Sequence, residues 1–380
     1  MSHHTLTTTT CTKIALVIAA ATFALACEAK KDPDTFTTPE RMAFTVNAAF
    51  DFSSGSYSII DLDTMEVLTD VLSIHSDAVG ACSGGDLFIL ERYGADTITS
   101  VSRQMPFSLL GQHSLGSGAN PQGLVKLASG SVLVTLLGRD SLVVIDPASG
   151  EEETFIDLSW AADADGFPEA GSVTMAGSRI VVALQRLDQT TTMWDPSGPG
   201  WLVVIDSSSL EVVDADTSTE ELDAIVLTGM NPTSGAHPIW DGEKLYVPES
   251  GFYSQLDGGL EMVDLDTMQA EGFVVTEESL GGDITDIVLV NDHLGYATVN
   301  TLAFEALLVR FDPSDGTVEA DPVLEGAGYT LVDMTLTDDG KLLVVDRTTE
   351  ASGVQVIEAA SGEVITRLHV GMAPSTICLP

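Results

Sequence analysis

Apolar residues along this chain fall in short unbroken runs, among them SVLVTLL (131–137), RIVVAL (179–184) and KLLVV (341–345). The runs are rich in Val, Ile and Leu and too short for helices, so they predict strands buried on both faces. Six segments end such a run with an acid and then a turn: SIIDLDT (58–64), LVVIDPASG (142–150), LVVIDSSS (202–209), EMVDLDT (261–267), VRFDPSDG (309–316) and VQVIEAASG (354–362). A degenerate copy, TITSVSRQ (97–104), fills the first gap. The marker positions Asp61, Ser102, Asp146, Asp206, Asp264, Asp312 and Glu358 therefore recur at a spacing of roughly 40 to 60 residues, and about 40 to 50 is the size of a four-stranded propeller blade.

Each unit repeats one order. An innermost strand follows a Pro- or Gly-containing loop, as in NPQGLVKL (120–127), and a second apolar strand comes next. The third strand carries the acid, and a turn leads to a fourth. The acid is expected to accept backbone N–H groups in that turn, where a following Gly supplies positive φ, and so to shape the chain, not bind a ligand. The last unit runs out through LHVGMAPSTICLP (368–380), which begins another innermost strand, while the first starts near Arg41 with a second strand, MAFTVNAAF (42–50). Joining the two ends completes one blade. The expected fold is all-β, a seven-bladed β-propeller of four-stranded blades over 42–380, its ring closed by the C-terminal strand. Closure leaves only short protected edges, and the repeat overrides the prior of two or three domains that the length suggests.

The first 41 residues lie outside this pattern. A weakly basic start ending at Lys13 precedes the apolar run IALVIAAATFALA (14–26) and then Cys27. That run is shorter than the about 20 residues a spanning helix needs, and it fits the h-region of a secretory signal over residues 1–26. Ala24-Leu25-Ala26-Cys27 resembles the lipobox of bacterial lipoproteins, although leucine sits at the second position before the cysteine and not the third. The resemblance implies acylation of Cys27 and export to the cell envelope with a lipid anchor in a membrane, periplasmic or at the cell surface. EAKKDPDTFTTPER (28–41), polar, with two prolines and no periodicity, reads as a tether, so that 27–41 is the lipidated cysteine and its flexible tether. An ordinary secretory signal cut near Ala26 is the alternative.

The recurring order of apolar strand, V-I-D-P-x-S-G, strand and G-x-x-P resembles the YVTN/YncE-like seven-bladed propellers of bacterial envelopes, and it covers 42–380. It implies the fold and is nearly silent on activity. The Gly-His and Trp-Asp signature of WD40 repeats is missing, and IDPASGEEETF (145–155) lacks the tryptophan of quinoprotein propellers.

Composition narrows the partners. With 15 Lys and Arg against 57 Asp and Glu, the formal charge is −42, which excludes nucleic acid and disfavours anionic headgroups. Beyond Cys11 and Cys27, the cysteines are Cys82 and Cys378. In an oxidising compartment they are candidates for a disulfide, since SDAVGACSG (76–84) and MAPSTICLP (372–380) align them in neighbouring innermost strands; two buried thiols are the alternative.

The longest insertions, 159–172, 185–200, 227–238 and 248–259, belong to the propeller face where binding sites lie, and long loops on a rigid scaffold carry specificity. Trp194, Trp160 and Tyr253 are its aromatic candidates, and His75 and His237 lie on it as well. Asp163, Asp165 and Glu169 form a partial calcium loop that lacks an acid at Ala161. Arg92, Arg139, Arg186 and Arg347 each follow a second strand, where a planar guanidinium could hold an anion; Glu91, Asp140 and Asp346 beside them could instead pair with them. No G-x-S-x-G elbow, Walker loop, HxxxH or CxxC occurs in the sequence. The leading expectation is thus an envelope-anchored binding or interaction protein for a small anion, another small molecule, or an envelope protein or glycan. A lactonase-like hydrolase with a funnel active site is the alternative.

Overall fold

A computed structural model of the chain describes residues 35–232 and 237–380. The signal segment and Cys27 lie outside the described residues.

Seven antiparallel sheets stand around a central channel, each beginning with a strand at the channel wall. Numbered from the N-terminus, the innermost strands of blades 2 to 7 are Ala78–Ser83, Pro121–Lys126, Ala170–Ala176, Ile239–Trp240, Asp283–Asn291 and Leu331–Leu336. Blade 1 takes its second and third strands, Met42–Ala48 and Gly55–Asp61, from the start of the propeller and its innermost strand, Ala373–Cys378, from the C-terminus. The closing register pairs Phe44 with Cys378, Thr45 with Ile377 and Val46 with Thr376. The wider blade 4 carries two short outer strands, Val212–Val213 and Ile225–Met230, and a hairpin, Leu187–Asp188 with Asp195–Pro196, inserted after its second strand.

The unbroken apolar runs are explained by stacking. All of Val132–Leu136 is buried: Leu133 packs toward blade 4 with Ile180 and Val182, and Val132 and Val134 pack toward blade 2 with Phe88 and Leu90. A strand clamped between two sheets has no polar face, so period-two alternation is lost. Where inner strands converge, small residues are required; a Cβ on Gly80 would already meet Phe44 and Val46 at 3.2 Å.

The repeated acids shape turns. Asp61 Oδ1 accepts the N–H groups of Asp63 and Thr64, Asp206 Oδ1 those of Ser208 and Ser209, and Asp264 Oδ1 those of Asp266 and Thr267. The Ser208 hydroxyl first, then these backbone donors, hold the Asp206 carboxyl below the usual carboxylate range, and Lys244 first, then the backbone donors, do the same for Asp264.

Candidate functional site

The channel encloses about 670 Å³ and is lined by inner-strand residues of all seven blades. Most of its wall is glycine, alanine, aliphatic or hydroxyl-bearing. The ionisable side chains on it are Arg92, His237, Asp286 and Asp333.

Asp286 and Asp333 are neighbours on blades 6 and 7, close enough for each carboxyl to act on the other. Asp286 Oδ1 accepts its next residue's N–H, from Ile287, at 2.8 Å, and Oδ2 accepts Met334 N–H at 2.6 Å. Asp333 Oδ2 accepts Ile377 N–H of the closing strand at 2.7 Å. The two acids thus stitch blade 6 to 7 and blade 7 to 1. Desolvation raises both above the usual carboxylate range, and the Asp333 charge raises Asp286 further, so burial and mutual repulsion favour the protonated form in this pair. His237 lines the channel with an exposed side chain, and the protein encircling it disfavours its imidazolium form. Sequence patterns did not single out the pair, although each acid interrupts an apolar strand, in DITDIVLV (283–290) and TLVDMTL (330–336 with its flanks).

The four arginines separate. Arg92 reaches the channel, but its Nε and Nη2 both donate to Asp77 Oδ1, at 2.9 and 2.5 Å, and Nη1 to Gln122 at 3.3 Å. Arg139 donates to Ser117 O. Arg347 donates to the carbonyls of Ala373 and Pro374 and so latches the closing strand. Arg186 stacks 3.8 Å over the Trp201 ring in blade 4. Among the four, only Arg92 lines the channel, and it is paired.

Beside Arg186 lie Asp163, Asp165 and Glu169, whose ligand-capable oxygens fall within 4.8 Å of one another. Glu169 has no exposed surface, and burial pushes its carboxyl up to about 8. Every carboxylate oxygen of the trio already accepts a protein donor: Asp165 N and Ser197 Oγ on Asp163, Phe167 N and Gln189 N on Asp165, Leu187 N and Gln189 Nε2 on Glu169. The cluster could offer a cation only second lone pairs, next to a guanidinium. Trp194 sits in the adjoining hairpin with φ 53°, Trp160 packs on the blade 3–4 core, and Tyr253 is half exposed with its ring 5.9 Å from that of Tyr329. His75 Nδ1 bonds locally with Asp77. Cys82 and Cys378 are disulfide-bonded, Cα atoms 5.7 Å apart, at the channel end opposite the long loops.

A second carboxyl pair lies between blades 4 and 5, away from the channel. Glu249 and Glu261 stand diagonally on one sheet face, since Glu249 pairs with Gly259 and Val247 with Glu261. Neither has exposed surface. Glu261 Oε2 accepts Thr228 N–H at 2.7 Å, whereas Glu261 Oε1 and both Glu249 oxygens meet no donor group among the described residues. Their mutual hydrogen bond therefore needs a proton, and burial, then Glu261, pushes Glu249 up to about 10.

No protein-family model matches the chain, and no curated protein does. Solved structures do. A candidate 6-phosphogluconolactonase from Bacteroides fragilis is 14% identical, with 91% of this chain and 99% of that one covered and a TM-score of 0.61. A similar candidate from Bacteroides uniformis is 13% identical over 90% and 99% of the two chains, with a TM-score of 0.58. Apo AztD from Citrobacter koseri is 13% identical over 89% and 98%, with a TM-score of 0.52. Likeness at this identity establishes the architecture alone: the chain is a seven-bladed β-propeller.

Proposed function

We propose that this protein is an envelope-anchored binding protein, of the YVTN/YncE-like kind, whose channel takes a small neutral or cationic polar molecule against the Asp286–Asp333 pair. The observation that carries the reading is the neighbouring Asp286 and Asp333 carboxyls on the wall of a channel of about 670 Å³, a wall that also carries Thr174, Thr335 and Thr376. A few polar groups converging in a largely apolar cavity is the usual make-up of a small-molecule site. A small anion fits it less well, because the guanidinium of the wall is already neutralised by Asp77.

A thermal-shift screen of polyols, amines, lactones and organic acids tests this. Neutral or cationic polar compounds should raise the melting temperature; a ligand at 100 Kd adds about 2.7 kcal/mol. Asp333→Asn, which keeps an acceptor for Ile377, should abolish the response. Stabilisation by organic acids alone, or an undiminished response in Asp333→Asn, would overturn the reading.

One observation favours a hydrolase as second reading. A carboxyl pair whose proton is held toward neutral pH can act as general base on water and general acid on a leaving alkoxide. Lactone hydrolysis lost in Asp333→Asn would support it.

A further inference from the structure

The top of blade 6, apart from the channel, gathers three loops. Residues 250–258 join the second and third strands of blade 5, 301–304 do the same in blade 6, and 328–330 lead into blade 7. Gly328 N–H donates to Phe304 O at 2.7 Å, tying the second loop to the third. The Tyr253 and Tyr329 rings, 5.9 Å apart and inclined by 32°, tie the first to the third. Their exposures are 49% and 44%, and Phe304 beside them is 59% exposed. Amphipathic rings left in water offer apolar area at little entropic cost.

Two buried side chains at the head of blade 6 carry polar atoms without a partner among the described residues. Asp283 and Asn300 stand directly opposite each other in antiparallel register, 6% and 4% exposed. Ser254 N–H donates to Asp283 Oδ2 at 2.7 Å, which places Asp283 under the loop bearing Tyr253. Among the described residues, Asp283 Oδ1 and both amide atoms of Asn300 have no partner. Buried polar atoms are rarely left so, and each one calls for a group to meet it. The free set comprises a carboxylate acceptor, an amide acceptor and an amide donor. Adjacent hydroxyls, which donate and accept at once, complement that set; an anion would meet Asp283 and the nearby Asp257 and be repelled.

We infer that the top of blade 6 is a binding site for a neutral sugar, whose C–H face lies on Tyr253 and Tyr329 while its hydroxyls meet Asp283 and Asn300. Because the free atoms are covered in this conformation, residues 250–258 lift as the sugar enters. The site differs from the channel in its residues and in its demand for paired hydroxyls.

The test uses the full chain with glucose, galactose, mannose, N-acetylglucosamine and their disaccharides, followed by saturation-transfer NMR and tyrosine fluorescence. At least one sugar should bind saturably. Tyr253→Ala and Asn300→Ala should each weaken it roughly tenfold, which corresponds to about 1.4 kcal/mol. Tyr93→Ala, on blade 2 and 75% exposed, should leave it unchanged. If Asn300→Ala fails to fold by circular dichroism, Asn300→Ser and Tyr253→Ala carry the test. Absence of saturable binding by any of the sugars, or binding that survives Tyr253→Ala, overturns the inference.

Discussion

Replacing Glu249 by glutamine should make the propeller more stable in alkaline solution. Glu249 has no exposed surface and lacks a protein donor for either oxygen, so the folded state keeps it protonated against Glu261. Its folded value is about 10, against an ordinary 4.5. A carboxyl raised on folding stabilises fully below its unfolded value and loses that contribution as pH climbs toward the folded value. The unfolded chain releases the proton near pH 4.5 while the folded one retains it, so the affected window runs from there to about pH 10. One retained proton costs about 1.4 kcal/mol per pH unit, hence about 4 kcal/mol between pH 6 and 9. That is a large share of the roughly 5 to 15 kcal/mol of a typical domain. Glutamine preserves the shape and gives Glu261 Oε1 a permanent N–H donor. Denaturant unfolding of both proteins at pH 6, 7, 8 and 9 should therefore show a wild-type decline steeper by one proton. Glu169 and Glu277, pushed up to about 8 by burial, add a slope common to both proteins. Parallel curves for wild type and variant would refute the argument, as they would mean that Glu249 is not the group holding the proton.

The same interface predicts that Gly229→Ala destabilises by about 1 to 3 kcal/mol, read by chemical denaturation, because its Cβ would sit 2.2 Å from Glu249 Oε2. Reducing the Cys82–Cys378 bond, which spans a sequence separation of 296 residues, should lower the melting temperature, with an entropic contribution on the order of 5 kcal/mol; an unchanged melt would show that the closing strand holds without it. Calcium at millimolar concentration should barely move the melting temperature, since six protein donors already occupy the oxygens of Asp163, Asp165 and Glu169 and the Arg186 charge lies nearby; a rise of several degrees that Glu169→Gln removes would assign the cluster as a calcium site. Tagged fatty acid should label the wild-type chain in cells and spare Cys27→Ser, and equal labelling of both would sink the anchor proposal.

Much of the architecture was legible in one dimension because a propeller is made of local units. The recurrence of an apolar run, an acid and a turn is a property of neighbouring residues, and so are the Asx-type bonds that Asp61, Asp206 and Asp264 make to the next few amides. Even ring closure could be read, since the missing innermost strand of blade 1 and the surplus strand at the C-terminus are counted along the chain. Arginine placement could not. Arg92 and Arg347 occupy equivalent places after a second strand, yet Arg92 pairs with Asp77 at the head of its own blade's innermost strand, whereas Arg347 has Thr330 at that place and grips the carbonyls of Ala373 and Pro374 on blade 1.

The carboxyl pairs were hidden for the same reason. Asp286 and Asp333 lie on different strands of different blades, and Glu249 becomes a proton holder only where the face that carries Glu261 is sealed by Gly229 of blade 4. By itself, the sequence determined the strand order, the turns and the number of blades, because those depend on short-range patterns of burial and hydrogen bonding. The channel, its buried carboxyl pair and the unpaired atoms of blade 6 were decided by the tertiary structure, because a group's protonation and partners depend on what surrounds it from every direction.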